Sequence, residues 1–118
     1  MAIVMADGVA TQYRRWGAGP TVVVLGVEPV VETLAGSYRV IAPEIPPHLP
    51  DPTAAGRARW LSGVFDGLGI EAAVIVTAPA QAEAVALFAA GAPDRVKRVL
   101  SAAGDQAELL TAVVRSLG

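Results

Sequence analysis

Thr21-Val22-Val23-Val24-Leu25 is the stretch on which the fold turns. Five apolar or β-branched residues in unbroken succession leave no alternate positions for solvent, so the run reads as a strand buried on both faces. Such strands belong to the interior of a parallel sheet. Ala72-Ala73-Val74-Ile75-Val76 repeats the signature further along the chain. Tyr38-Arg39-Val40-Ile41-Ala42 predicts another strand, which Pro43 blocks from continuing. A last strand is expected over residues 96–102, Val96-Lys97-Arg98-Val99-Leu100-Ser101-Ala102. Val9–Trp16 is mixed in character and reads as an edge strand, ended by the turn Gly17-Ala18-Gly19-Pro20.

Helix signals alternate with these strands. Residues 29–35 predict a short helix closed by Gly36. Five prolines, at positions 43, 46, 47, 50 and 52, exclude helix and interior strand and predict an extended loop. From Thr53 onward Ala58, Leu61, Phe65 and Leu68 recur at three- and four-residue spacing, which gives one buried stripe on a helix that Gly67 and Gly69 fray and stop. A further helix is expected from the Thr77-Ala78-Pro79 turn to Ala90, ended by Gly91 and Pro93. Asp105 with Glu108 three residues later predicts the start of a closing helix carrying Leu109, Leu110, Val113, Val114 and Leu117. Strands alternating with helices define an α/β domain with a mostly parallel sheet of about six strands and helices on both faces.

Composition agrees with that class and closes several functions. The chain has 118 residues, 53% of them hydrophobic and 17% charged, which is enough to fill a core and too little charge for a disordered tail. Its formal net charge of −2 offers no cationic field to a phosphate backbone, so nucleic acid is excluded as a partner. Zero cysteines exclude disulfides, thiolate metal sites and a cysteine nucleophile, and one histidine cannot build a His cluster. No cofactor is expected. Gly17-Ala18-Gly19 precedes a strand instead of following one, so it is not a phosphate loop. No run reaches the ~20 apolar residues that span a bilayer. Met1 to Ala6 has no basic segment before it and is cut off by Asp7, so no signal peptide is expected and the chain reads as cytoplasmic.

Five phrases, in order, resemble the N-terminal half of the α/β-hydrolase family. They are Asp7-Gly8 ahead of Tyr13-Arg14-Arg15-Trp16-Gly17-Ala18-Gly19-Pro20; Thr21-Val22-Val23-Val24-Leu25; Tyr38-Arg39-Val40-Ile41-Ala42-Pro43-Glu44; Phe65-Asp66-Gly67-Leu68-Gly69-Ile70; and Ala92-Pro93-Asp94-Arg95-Val96-Lys97-Arg98-Val99-Leu100. The resemblance covers nearly the whole chain. It implies an α/β-hydrolase-like sheet in a single domain, residues 1–118, that lacks the family's C-terminal strands.

The departures from that family concern its chemistry. After the strand that ends at Val76, the family carries a G-x-S-x-G elbow, which sets a strained serine between strand and helix. Here the matching residues are Thr77-Ala78-Pro79-Ala80-Gln81, with proline in the serine's place and Gln81 in that of the second glycine. Proline brings no oxygen, and its fixed φ near −65° opposes the positive φ that the resemblance implies for the nucleophile. On the oxyanion side Leu25 stands in place of a histidine, followed by Gly26-Val27. The family's general-base histidine falls beyond Gly118, and none follows His48.

The remaining candidates are modest. Gly26, Val27, Glu28, Glu44, His48, Pro79 and Asp105 are expected around a cleft at the carboxyl ends of the strands. His48 reads most simply as a surface loop histidine, Asp105 as a helix N-cap, and Glu28 with Glu44 as solvated loop charges. Trp16 and Trp60 read as packing or interface residues. These features point to a non-catalytic, hydrolase-like subunit. The alternatives are an atypical enzyme or small-molecule binder using that cleft, and one half of a split hydrolase. A homodimer or a partner protein is expected at the strand of residues 96–102 and the last helix, because an edge with only Lys97 and Arg98 as charged guards is open to pairing.

Overall fold

Asp7 and Gly8, at φ 51° and 77°, supply the two positive-φ positions that a two-residue hairpin requires. In the computed structural model, which describes residues 2–26 and 38–101, this turn joins β1 (Ala2–Ala6) to β2 (Val9–Trp16), with Ala6 opposite Val9. β1 was not anticipated as a strand, and its presence corrects the reading of Val9–Trp16 as an edge. β2 is paired on both sides, antiparallel to β1 and to β4 (Arg39–Pro43). The reason lies in the alternation of β1: Val4 and Ala6 turn into the core while Ile3 and Met5 face outward, the period-2 pattern of a half-buried strand.

β3 (Thr21–Leu25) and β5 (Ala73–Thr77) are buried at every position, as continuous apolar runs require. β3 pairs in parallel with β4 on one side and β5 on the other, and β5 pairs in parallel with β6 (Val96–Ser101). Among the described residues the order is β1-β2-β4-β3-β5-β6, one mixed six-stranded sheet whose parallel half lies around β3. Pro43 does not stop β4 short but closes it, facing Tyr13 across the sheet.

Helix α1 (Ala54–Leu68) is capped at its start by Thr53, whose side chain accepts from the Gly56 amide, and at its end by Gly69 in the left-handed conformation at φ 66°. Its buried stripe is Gly56, Trp60, Leu61, Val64 and Phe65. Gly67 does not fray this helix: a Cβ there would run into the Val4 side chain of β1, so the glycine lets α1 approach the sheet. Helix α2 (Ala82–Gly91) is preceded by a 3₁₀ turn over Pro79–Gln81 and includes Gly91, with Ala92 as its C-cap. Phe65 of α1 and Phe88 of α2 meet at 4.8 Å between ring centroids, tilted by 60°, a favourable aromatic geometry. Both helices share one face of the sheet with Val23, Leu25, Ile41 and Ile75. The expected helices over 29–35 and 105–117 lie outside the described residues, as do Val27, Glu28, Ala102 and Asp105. No helix among the described residues is long and apolar enough to cross a membrane.

Candidate functional site

In open sheets of this kind, ligands and catalytic groups collect beyond the carboxyl ends of the parallel strands. Here those ends bring together Gly26 after β3, Glu44 after β4 and Ala78-Pro79 after β5. The Ala78 amide donates to the Leu25 carbonyl at 2.9 Å, which carries the β3–β5 ladder one step past the strands. Gly26 sits at φ 73°, and a methyl group added to it would lie 3.1 Å from the Cβ of Ala78. The first turn after β3 and the first turn after β5 are therefore in contact.

The segment after β5 has its own geometry. Thr77 is buried, and its hydroxyl donates to the Ala78 carbonyl at 2.9 Å. Ala78 is extended, at φ −67° and ψ 150°, and Pro79 then opens the 3₁₀ turn. The Gln81 amide donates to the Ala78 carbonyl at 3.0 Å, and Gln81 itself sits at φ −106°. Among the described residues the one non-glycine position with positive φ is Asp7, at the other end of the molecule's chain order. Proline suits this turn because its fixed φ and missing N–H are tolerated at a helix start.

Glu44 is exposed and borders two hollows. One, of about 230 Å³, is lined by Val24, Gly26, Pro43 and Ile45 together with Arg14 and Glu44. The other is an open depression of about 700 Å³ beside β2, lined by Gln12, Tyr13, Arg14, Arg15, Trp16 and Glu44 among others. Arg14 belongs to both, and its guanidinium lies over the Trp16 ring at 5.1 Å from the centroid, a cation–π contact. Sequence reading missed Arg14. The signal available for it was its position two residues from Trp16 on one strand, which sets both side chains on the same face.

His48 lines neither hollow. It is exposed in the proline-rich loop, which is pinned on either side by Ile45 and Leu49 packing against the core. The loop is tied at its far end by Asp51. That carboxylate accepts from the Thr53 hydroxyl at 2.6 Å, from the Thr53 amide at 3.1 Å and from Arg59. The hydroxyl bond from Thr53 leads, with the amide and Arg59 behind it, in holding the Asp51 carboxyl below its usual value. A carboxyl depressed in the folded state contributes stability above its unfolded pKa and loses it as pH falls through the folded value. Thr53→Ala removes both the cap of α1 and the leading partner of Asp51. It is expected to cost about 1 kcal/mol and to raise the Asp51 pKa toward that of a free carboxylate. Urea denaturation at neutral pH and an NMR carboxyl titration check the two effects. An unchanged Asp51 titration would refute the assignment of its cause.

Among the described residues no group of three or more His, Cys, Asp or Glu side chains is placed to hold a metal ion. What the strand ends assemble is a proline turn, a glycine, one exposed carboxylate and an arginine stacked on tryptophan.

No protein-family model and no curated protein matches the sequence. Solved structures do match in shape. A meta-cleavage product hydrolase from Pseudomonas fluorescens IP01 aligns with a TM-score of 0.74 at 26% identity, covering 84% of this chain and 43% of that one. An epoxide hydrolase from Vigna radiata aligns at 0.73 and 20% identity, over 85% of this chain and 38% of that one. A bacterial membrane phospholipase A aligns at 0.75 and 17% identity, over 85% and 38%. The chain thus spans about two fifths of the length of the structures it matches. Six strands in this order, flanked by these helices and matched by hydrolases of three kinds, give the protein the α/β-hydrolase fold.

Proposed function

We propose that this chain is a non-catalytic protein of α/β-hydrolase fold, one domain over residues 1–118, serving as a structural, interaction or accessory subunit. One observation carries the reading: Pro79 occupies the place after β5 where hydrolases of this fold set their nucleophile. A nucleophile needs an oxygen, sulfur, nitrogen or carboxylate that can be activated. The pyrrolidine ring offers none, and Ala78 and Ala80 beside it offer none. The hydroxyl of Thr77 is buried and already donates to the Ala78 carbonyl.

The backbone supports the same conclusion independently. An elbow holds its nucleophile in a strained conformation over the strand ends, whereas Pro79 begins a regular 3₁₀ turn. Restoring a hydroxyl at that position does not restore the strain.

Hydrolysis of p-nitrophenyl acetate by the unaltered chain and by Pro79→Ser tests this. Neither is expected to exceed the slow rate given by free imidazole at the same concentration, which the exposed His48 alone would supply; turnover means a rate above that. Turnover by the unaltered chain would refute the reading outright. Turnover gained by Pro79→Ser would show that a working elbow and base are in place, which contradicts the backbone argument.

A further inference from the structure

Among the described residues β1 is one end of the sheet, and its sequence, Ala2-Ile3-Val4-Met5-Ala6, contains no charge, no proline and no glycine. Edge strands ordinarily carry such guards, because their unpaired backbone groups template pairing with another strand. Val4 and Ala6 are buried toward α1, while Ile3 and Met5 on the opposite face are 57% and 60% exposed. No other large apolar side chain among the described residues is exposed as much. The sheet's other end differs: β6 carries Lys97 and Arg98 side by side, both exposed.

We propose that β1 pairs antiparallel with β1 of a second copy of this chain, about a two-fold axis at Val4. The choice of occupant follows from charge and sequence together. β1 has no charge for a charged partner to complement, so its fit is to another neutral strand. Its pattern of small, large, β-branched, large, small reads alike in both directions, as a two-fold contact requires of a single patch. With Val4 opposite Val4 of the partner copy, Ile3 of each copy faces Met5 of the other, and Ala2 faces Ala6. Ile3 and Met5 of the two copies then form one apolar cluster on one face of a continuous sheet. Pairing through β6 would instead gather four cations at one seam, and like charges opposite each other destabilise strand pairs.

The seam is short. Five residues a side fall far below the ~20–30 a side of a standard interface, so the dimer is weak and dissociates on dilution in the micromolar range. It is independent of the reading of Pro79, which follows β5, a strand separated from β1 by β2, β4 and β3 in the sheet order.

Light scattering coupled to gel filtration, across a micromolar dilution series, tests the pairing. The unaltered chain is expected to approach twice 12.1 kDa when concentrated and to fall to 12.1 kDa when dilute. Met5→Lys and Ile3→Lys, each at an exposed position and each checked for an unchanged melting curve, are expected to stay at 12.1 kDa throughout. Val99→Lys, on β6, is expected to dimerise like the unaltered chain. A mass of 12.1 kDa for the unaltered chain at every concentration overturns the proposal. So does an assembly that survives both β1 substitutions, or one that Val99→Lys abolishes, which would place self-association at β6.

Discussion

Trp60→Ala is expected to cost about 3–5 kcal/mol, the range for emptying a buried tryptophan site. Folded domains keep only ~5–15 kcal/mol in all, so the loss consumes at least about a fifth of that margin. Trp60 is 2% exposed, in the interior with Leu61, Val64 and Phe65. Its indole N–H also donates to the Thr11 hydroxyl at 2.9 Å, and Thr11 is itself fully buried in β2. The side chain thus fills the space between α1 and the sheet and supplies the polar contact that registers one against the other. Trp60→Phe separates the two roles. It keeps most of the apolar volume but leaves the Thr11 oxygen without its donor, at an expected cost of about 1–3 kcal/mol. Urea denaturation of both variants gives the comparison. A loss below 1 kcal/mol for Trp60→Ala would mean that α1 does not pack as described.

Gly63→Ala should destabilise the chain although alanine is the better helix former. A Cβ at position 63 would stand 2.5 Å from the Asp7 amide nitrogen and 2.9 Å from the carbonyl carbon and Cα of Ala6. These are backbone atoms at the hairpin turn, which cannot swing aside as a flexible side chain would. Helix propensity returns ~1 kcal/mol, while overpacking a tight contact costs ~1–3 kcal/mol, so the balance falls on the side of loss. Gly91→Ala is the control. It lies at the end of α2 with nothing within 4 Å of the added methyl, so it should be neutral or stabilise by up to ~1 kcal/mol. Thermal melts of the two variants should move in different directions. A stabilised Gly63→Ala would show that α1 stands further from β1 than this packing requires.

How much of this was readable in the sequence depended on whether the cause was local. β3 and β5 were plain because strands buried on both faces read as continuous β-branched and apolar runs, and α1 was plain from the three- and four-residue spacing of Ala58, Leu61, Phe65 and Leu68 and from its stop at Gly69. β1 escaped because the six apolar residues ahead of Asp7 were weighed as a targeting segment, although Asp7-Gly8 is a strong hairpin signal. Gly67 was misread because its reason is Val4, in another element. The bond from Trp60 to Thr11 spans 49 positions, and nothing in either neighbourhood announces it.

The site divided in the same way. Pro79 could be read directly, since a proline in place of a serine removes both the oxygen and the backbone freedom at one position. Gly26 and Glu44 follow β3 and β4, and both line one hollow. The stacking of Arg14 on Trp16 needed the strand's actual register and was not foreseen.

The proposed absence of a serine nucleophile is the centre of the account, and intact-mass spectrometry after treatment with a fluorophosphonate probe tests it most directly. The chain's serines are at 37, 62, 101 and 116, none of them in the turn after β5. The account predicts an unshifted mass at probe concentrations that label active serine hydrolases completely. A stoichiometric adduct, mapped to one serine and lost when that serine is replaced by alanine, would contradict it.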